Sequence, residues 1–452
     1  MDKQTILNKA LASGTLITAL VAGKAQAQSQ DALLDKLVSK GVLTQQEAKD
    51  LRSEADDGFK KAYQAKSGMP DWVTSLKLNG DFRGRFDSIF NGQTPDRNRW
   101  RYRLRFGAVA SLRDDFEVGF RLGSGDASGG IAGVSDPISQ NQTLGSNAGK
   151  KSLFIDLAYA KWTPIHTSDW SWGLTVGKME NPFVASDIMF DKDYTPEGVA
   201  TQMKYNFNAN HAFRLIGGAF VINEVSGPPP AKESKDPYMF AAQARFDSVW
   251  DQKQKWQSTM GIGVFTITHD EQLLHASVPN KNAGNERSNA PGLLKEGFNP
   301  IVVDAAVTYT LESFPLYPTK FPITVAGDYI HNPAAQTFKD GYSVGVTLGK
   351  SGKRKTWDVG YRFREVQANA WFEEITDSDS GAFYAAADAT HGVAAGYQAG
   401  TNVRGHIIRA NYSPYDSLTF GLTFYDMDAI VESPIGSGSH VGRIQIDAIW
   451  KF

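Results

Sequence analysis

Residues 98 to 106 read Asn98-Arg99-Trp100-Arg101-Tyr102-Arg103-Leu104-Arg105-Phe106, with an arginine at every second position and a large apolar side chain between each pair. Alternate side chains of a strand point to opposite faces. One face of this segment therefore carries four guanidinium groups, and the other carries Trp100, Tyr102, Leu104 and Phe106. A soluble sandwich buries its apolar face and scatters its surface charge. Here the apolar face is aromatic and the alternation recurs along most of the chain, which predicts a wall with lipid on one side and water on the other. An arginine turned toward lipid at the midplane costs about 2 to 4 kcal/mol. Arg99, Arg101, Arg103 and Arg105 therefore face the aqueous side.

Composition narrows the choice. The chain has 452 residues, no cysteine, and a net charge of −2. Disulfide frameworks and thiolate metal sites are excluded, and no basic domain or tail marks a nucleic-acid partner. Residues 1–27 have the form of a secretory signal: Lys3 and Lys9, an apolar run from Ala10 to Gly23, and the cleavage-type sequence Ala25-Gln26-Ala27. No stretch approaches the roughly 18 apolar residues of a membrane helix. An exported chain of this kind is either soluble outside the cytoplasm or a membrane β-barrel.

Residues 28–69 differ in character. Leu33, Leu34, Leu37 and Val38 fall at helical spacing, and Thr44-Gln45-Gln46-Glu47 has the form of a capping box opening a second helix. The segment reads as a short periplasmic helical leader, either a coiled coil joining protomers or a loosely docked helix.

From residue 70 to residue 452 the alternating segments number about sixteen, each close to the 9 to 11 residues of a tilted membrane strand. In the first, Leu78, Phe82 and Phe86 face lipid, while Lys77, Asp81, Arg83 and Arg85 face inward. Connections at 113–115, 163–169, 208–211, 250–254, 351–354 and 413–417 are short. Those at 123–151, 179–197, 268–299 and 368–402 are long, and each lies between short ones. Outer-membrane barrels have this pattern of short periplasmic turns and longer outer loops. The predicted fold is all-β: a transmembrane antiparallel barrel of about sixteen strands behind the helical segment.

The residues between the fifth and sixth strands carry a specific resemblance. Gly177-Lys178-Met179-Glu180-Asn181-Pro182-Phe183, an acidic and apolar stretch, then Thr195-Pro196-Glu197-Gly198 is similar to the "putative porin" family of Gram-negative outer membranes. Signal, leader, barrel and terminal aromatic fit the same pattern over nearly the whole chain. The resemblance implies a homotrimeric, water-filled channel in outer-membrane lipid and lipopolysaccharide, with the loop at 179–197 folded into the lumen. It also implies that Phe452, ending the last strand, is a signal read by the barrel assembly machinery.

The residues suit an inward loop on their own terms. Phe183, Val184, Ile188, Met189 and Phe190 can pack against the inner wall, while Glu180, Asp187, Asp191, Asp193 and Glu197 can face water. An ordinary surface loop has little use for five large apolar residues. Facing the loop, the wall reads as net positive, with Arg83, Arg85, Arg99, Arg101, Arg103, Arg105 and Arg121 as candidate pore-lining residues. Arginines two apart on a strand sit roughly 7 Å apart and repel by about 0.6 kcal/mol in water, more at lower dielectric. Such a ladder is either a track for anions or an internal salt-bridge lattice, and Asp81 and Glu117 on neighbouring strands are candidate partners.

Three functions follow: a passive channel for small hydrophilic solutes and ions, a channel selective for anions or acidic saccharides, and a structural or adhesive barrel. Catalysis is not expected. Gly349-Lys350-Ser351 lacks the first glycine of a phosphate-binding loop and reads as a periplasmic turn. Outer-loop groups such as His269-Asp270-Glu271 with His275, or Asp377-x-Asp379-x-Gly381, supply too few spaced ligands for a divalent ion. His406 falls on the outward face with no paired nucleophile. No cofactor is expected.

Overall fold

The computed structural model describes residues 69–91, 95–126, 136–225, 235–273, 284–288, 293–380, 400–431 and 440–452. The signal and helical leader read from the sequence lie outside them.

The strands are β1 (Val73–Phe90), β2 (Arg97–Leu112), β3 (Phe116–Ser124), a two-residue β4 (Gln142–Thr143), β5 (Leu153–His166), β6 (Trp170–Lys178), β7 (Glu197–Asn206), β8 (His211–Val221) and β9 (Tyr238–Val249). They continue as β10 (Trp256–Thr268), β11 (Ile301–Leu311), β12 (Phe321–His331), β13 (Asp340–Gly349), β14 (Thr356–Val366), β15 (Val403–Tyr415), β16 (Leu418–Ala429) and β17 (His440–Lys451). Apart from β4, which extends the pairing of β2 through Arg101↔Thr143 and Tyr102↔Gln142, these are sixteen long strands. Consecutive long strands pair antiparallel, and β1 pairs with both β2 and β17, so the sheet closes on itself. The result is a sixteen-stranded all-β barrel with no α-helix among the described residues.

Each of the sixteen segments read from the alternation is a strand. The arginine segment runs further than its charge pattern, to Leu112, because Gly107 to Ser111 keep their pairing with β3 after the arginines end. β5 likewise runs to His166 past a register shift between Trp162 and Ile165, which shortens the following turn to 167–169.

The faces follow the alternation. Trp100, Leu104, Phe106, Phe120, Ile262, Val264, Val325, Val344, Ile408, Leu422 and Ile446 are exposed on the outside, an apolar surface of the kind a bilayer covers. At the ends of the strands that meet in short turns, aromatic pairs form a belt: Phe116 with Trp162 at 5.7 Å, Trp170 with Tyr205 at 4.4 Å and Trp256 with Tyr309 at 4.6 Å. Rings of this amphipathic kind sit at a membrane interface.

Closure places the C-terminus. Phe452 N donates to Gly80 O at 3.1 Å, and Gly80 N donates to Phe452 O at 2.9 Å. The Phe452 ring occupies the space a side chain at position 80 would need.

Candidate functional site

The segment between β6 and β7 folds into the barrel, and its neck shows why the flanking sequence has the form it does. Gly177 and Gly198 pair across the two strands. Gly177 has φ +113°, and a Cβ on it would collide with the carbonyl oxygen of Ala158, while one on Gly198 would collide with that of Ala219. Both positions need glycine. Just above them, Lys178 Nζ meets Glu197 at 2.9 Å and donates to Thr195 O at 3.0 Å, and Met179 N donates to Pro196 O. Glu197 therefore latches the neck and does not face the constriction.

Beyond the neck, Phe183, Ile188, Met189, Phe190 and Tyr194 are buried against the wall residues Phe220, Met239, Phe265, Val302 and Ile330. The Phe183 ring meets Phe265 at 5.2 Å and Phe220 at 6.0 Å, both edge-on. Val184 differs from the expectation: its side chain is 41% exposed. Its backbone makes the contact instead, with Val184 N donating to Gln243 Oε1 at 3.0 Å and Val184 O accepting from Gln243 Nε2 at 2.7 Å and Arg245 Nη1 at 3.2 Å.

Polar ties run to both sides of the barrel. On the β2–β3 side, Asp193 accepts from Arg103 at 2.9 Å and lies 3.5 Å from Arg105, and Glu180 pairs with Arg121. On the opposite side, Ser186 donates to Asp328 on β12 at 2.5 Å and Asp187 accepts from Arg362 on β14 at 2.5 Å. A segment tied to β2 and β3 near its two ends and to β12 and β14 at its middle crosses the lumen.

A second outer segment meets it there, which the sequence did not announce. Residues 367–380 turn inward with Trp371, Phe372 and Ile375 in the same apolar cluster. Asp191 N donates to Ile375 O at 2.8 Å and Asp377 N to Asp187 O at 3.2 Å, joining the two segments backbone to backbone. Behind them Arg287 and Glu373 form a fully buried ion pair at 2.6 Å. The large apolar residues of this loop were the available signal, the same one that marked 179–197. Asp377 and Asp379, weighed as metal ligands, hold arginines: Asp377 meets Arg364 at 3.2 Å, and Asp379 meets Arg85 at 3.4 Å and Arg443 at 3.2 Å. No group of residues suited to a metal ion occurs among the described residues.

Most of the arginine face is paired. Arg99 meets Asp87 at 2.6 Å, Arg103 and Arg105 share Asp81 at 2.9 and 2.5 Å, and Arg85 takes Asp447 through two contacts at 2.7 and 2.8 Å. Arg121 lies between Asp156 and Glu180. Glu117, considered as a ladder partner, accepts from the Tyr159 hydroxyl at 2.8 Å instead. Two residues stand apart. Arg83 donates to Asn141 Oδ1 at 2.6 Å and Arg101 to Ser139 Oγ at 3.5 Å, and neither has a carboxylate within ion-pair distance among the described residues.

The loop carboxylates divide in the direction of their pKa shifts. Burial raises the pKa of Asp187, Asp193 and Asp379, but arginines outweigh it and hold all three below the usual carboxylate range: Arg362 and Arg364 for Asp187, Arg103 and Arg83 for Asp193, Arg443 and Arg85 for Asp379. Asp191 is pushed up by burial and by Asp377 and Asp193 beside it.

Two polar cavities adjoin the inward loop among the described residues. One of about 510 Å³ is bounded by the arginines of β1 and β2, the 136–143 segment and Asp191 to Asp193. The other, about 490 Å³, lies against β12 to β15. Asp187, Lys192, Arg409 and Asn411 line both, so the two cavities adjoin at these residues. Where they adjoin, Asp187 and Lys192 come from the loop and Arg409 and Asn411 from β15. Lys192 and Asn411 were not singled out from sequence, since neither motif nor alternation distinguishes them.

The sequence and the fold point the same way. Residues 89–303 match the "Putative porin" family. No curated protein matches the chain in sequence. Among solved structures, Pseudomonas putida OprB is similar, with 11% identity, a TM-score of 0.50, and coverage of 86% of this chain and 96% of that one. Salmonella typhi OmpF has 9% identity and a TM-score of 0.44, covering 83% of this chain and 97% of its own. The chain is a porin-like β-barrel, and its central half carries the match to the porin family.

Proposed function

We propose that the protein is an outer-membrane porin through which small hydrophilic solutes and ions diffuse passively, limited by the gap between the inward loops and the wall. The observation that carries this reading is the pair of polar cavities inside the barrel that adjoin at Asp187, Lys192, Arg409 and Asn411. A barrel filled by side chains, as a purely structural or adhesive role permits, has no need of such a connection. Charges of both signs at the narrow point create a transverse field that orients dipolar solutes and separates the paths of cations and anions.

In this reading the arginine face has two roles. Arg103, Arg105 and Arg121 hold the loop to the wall through Asp193 and Glu180, and Arg83 and Arg101 place charge on the cavity wall without an ion-pair partner among the described residues. The homotrimer, the assembly role of Phe452 and the membrane-side partners belong to the same proposal and are supported by the family resemblance.

Liposome swelling tests it directly. Vesicles carrying the protein should swell in sugars at rates that fall with solute size, and a bilayer should show stepwise conductance. Neither swelling nor conductance from folded protein would overturn the channel reading. In a salt gradient, Arg101→Ala with Arg103→Ala should move the reversal potential toward cation preference; an unmoved potential removes these arginines from selectivity.

A further inference from the structure

We infer that Arg83 and Arg101, bridged by Ser139 and Asn141, form a subsite for a small oxyanion, the carboxylate or phosphate group of a passing solute. The bridge is continuous. Arg101 Nη2 donates to Ser139 Oγ at 3.5 Å, Asn141 Nδ2 donates to the same oxygen at 3.3 Å, and Arg83 Nη2 donates to Asn141 Oδ1 at 2.6 Å. All four residues line the 510 Å³ cavity. Arg83 is 8% exposed, and the Nε atoms of both arginines are buried with no hydrogen-bond partner.

Three carboxylates of the cavity wall are held by other arginines. Asp193 serves Arg103 and Arg105, Asp447 serves Arg85, and Asp379 serves Arg85 and Arg443. A buried guanidinium with unmade hydrogen bonds is unfavourable, and its planar fork matches an oxyanion. Ser139 adds a rotatable hydroxyl proton on the same side. The arrangement therefore sets two positive charges and a hydroxyl on the wall of one cavity, with no carboxylate in ion-pair contact with either arginine among the described residues. The 136–143 segment, which reaches this position through the β4 pairing with β2, is a structural part of the subsite and not a surface loop.

Access of the ion rests on the channel reading, so two measurements separate the two ideas. In planar bilayers at fixed chloride, inorganic phosphate should reduce or interrupt the single-channel current at saturable concentration. Arg83→Gln with Arg101→Gln should weaken that effect about tenfold or more, the loss expected for charged hydrogen bonds. Lys255→Gln, the same loss of charge at a periplasmic turn where Lys255 faces Glu312, should leave it unchanged. A conducting wild-type channel indifferent to phosphate overturns the subsite while the pore stands. Calorimetric titration of phosphate into the detergent-solubilised barrel reads the same site without conductance. Saturable binding lost in the double variant supports the subsite, and no binding to the folded wild type overturns it.

Discussion

Replacing Trp371 by alanine should open the constriction without dismantling the barrel. The indole is completely buried and stands edge-on to Phe190 at 6.1 Å, Phe265 at 5.9 Å and Phe298 at 6.1 Å. These rings belong to the inward loop, to β10 and to the segment before β11, so one side chain fastens three elements. A buried Trp or Phe cut to alanine costs about 3 to 5 kcal/mol. The strands keep their own pairing, so the loss falls on the contact between the two inward segments. Their detachment equilibrium should shift by roughly a hundred- to several-thousand-fold. Single-channel recording should show a larger mean conductance with slow fluctuations, and brief proteolysis should cut residues 179–197 faster than in the wild type. Trp371→Phe should keep most of the packing and stay close to wild type. Heat-modifiable migration on gels confirms that each variant is a folded barrel. A folded Trp371→Ala channel with quiet, unchanged conductance would refute the reasoning.

Acidity gives a second test. Asp191 has a raised folded pKa, so its contribution is fully present below the ordinary aspartate range and is lost as pH rises through the raised value. Asp193 and Asp379 act in the opposite sense, their contribution present above that range and lost only as pH falls through their depressed values. Loop attachment should therefore loosen between acidic and neutral pH, seen as greater current noise, and Asp191→Asn should flatten that dependence; an unchanged profile in the variant contradicts the assignment. Arg287→Ala or Glu373→Ala alone should lower stability by about 3 to 5 kcal/mol by stranding a buried charge, whereas Arg287→Met with Glu373→Leu should recover most of it in thermal denaturation. Gly177→Ala should reduce the yield of heat-resistant barrel, because the new methyl meets the Ala158 carbonyl at positive φ. Gly84→Ala, with open space around it, should not.

What the sequence determined is the part governed by local geometry. Period-two alternation sets which residue of a strand faces lipid, and the penalty for turning Arg99 to Arg105 outward leaves one orientation. Sixteen strands and their faces were legible for that reason; the inward course of 179–197 was read instead from its apolar residues and flanking motifs, whose glycines are steric necessities at its neck. Partnership was not legible. Arg103 reaches Asp193, Arg443 reaches Asp87 and Arg287 reaches Glu373 across sequence separations of 90, 356 and 86 residues, and alternation carries no information about which inward side chains meet. Residues 367–380 had the same apolar signal as the first loop, yet their inward fold depends on an aromatic cluster assembled from three distant segments. The ladder shows the division most clearly. Its face was fixed by the energy of charge in hydrocarbon, a property of single residues. That Arg103 and Arg105 anchor a loop while Arg83 and Arg101 stay without a carboxylate was decided by barrel register and loop crossing, because ion pairing is a short-range interaction between groups that only the closed structure brings together.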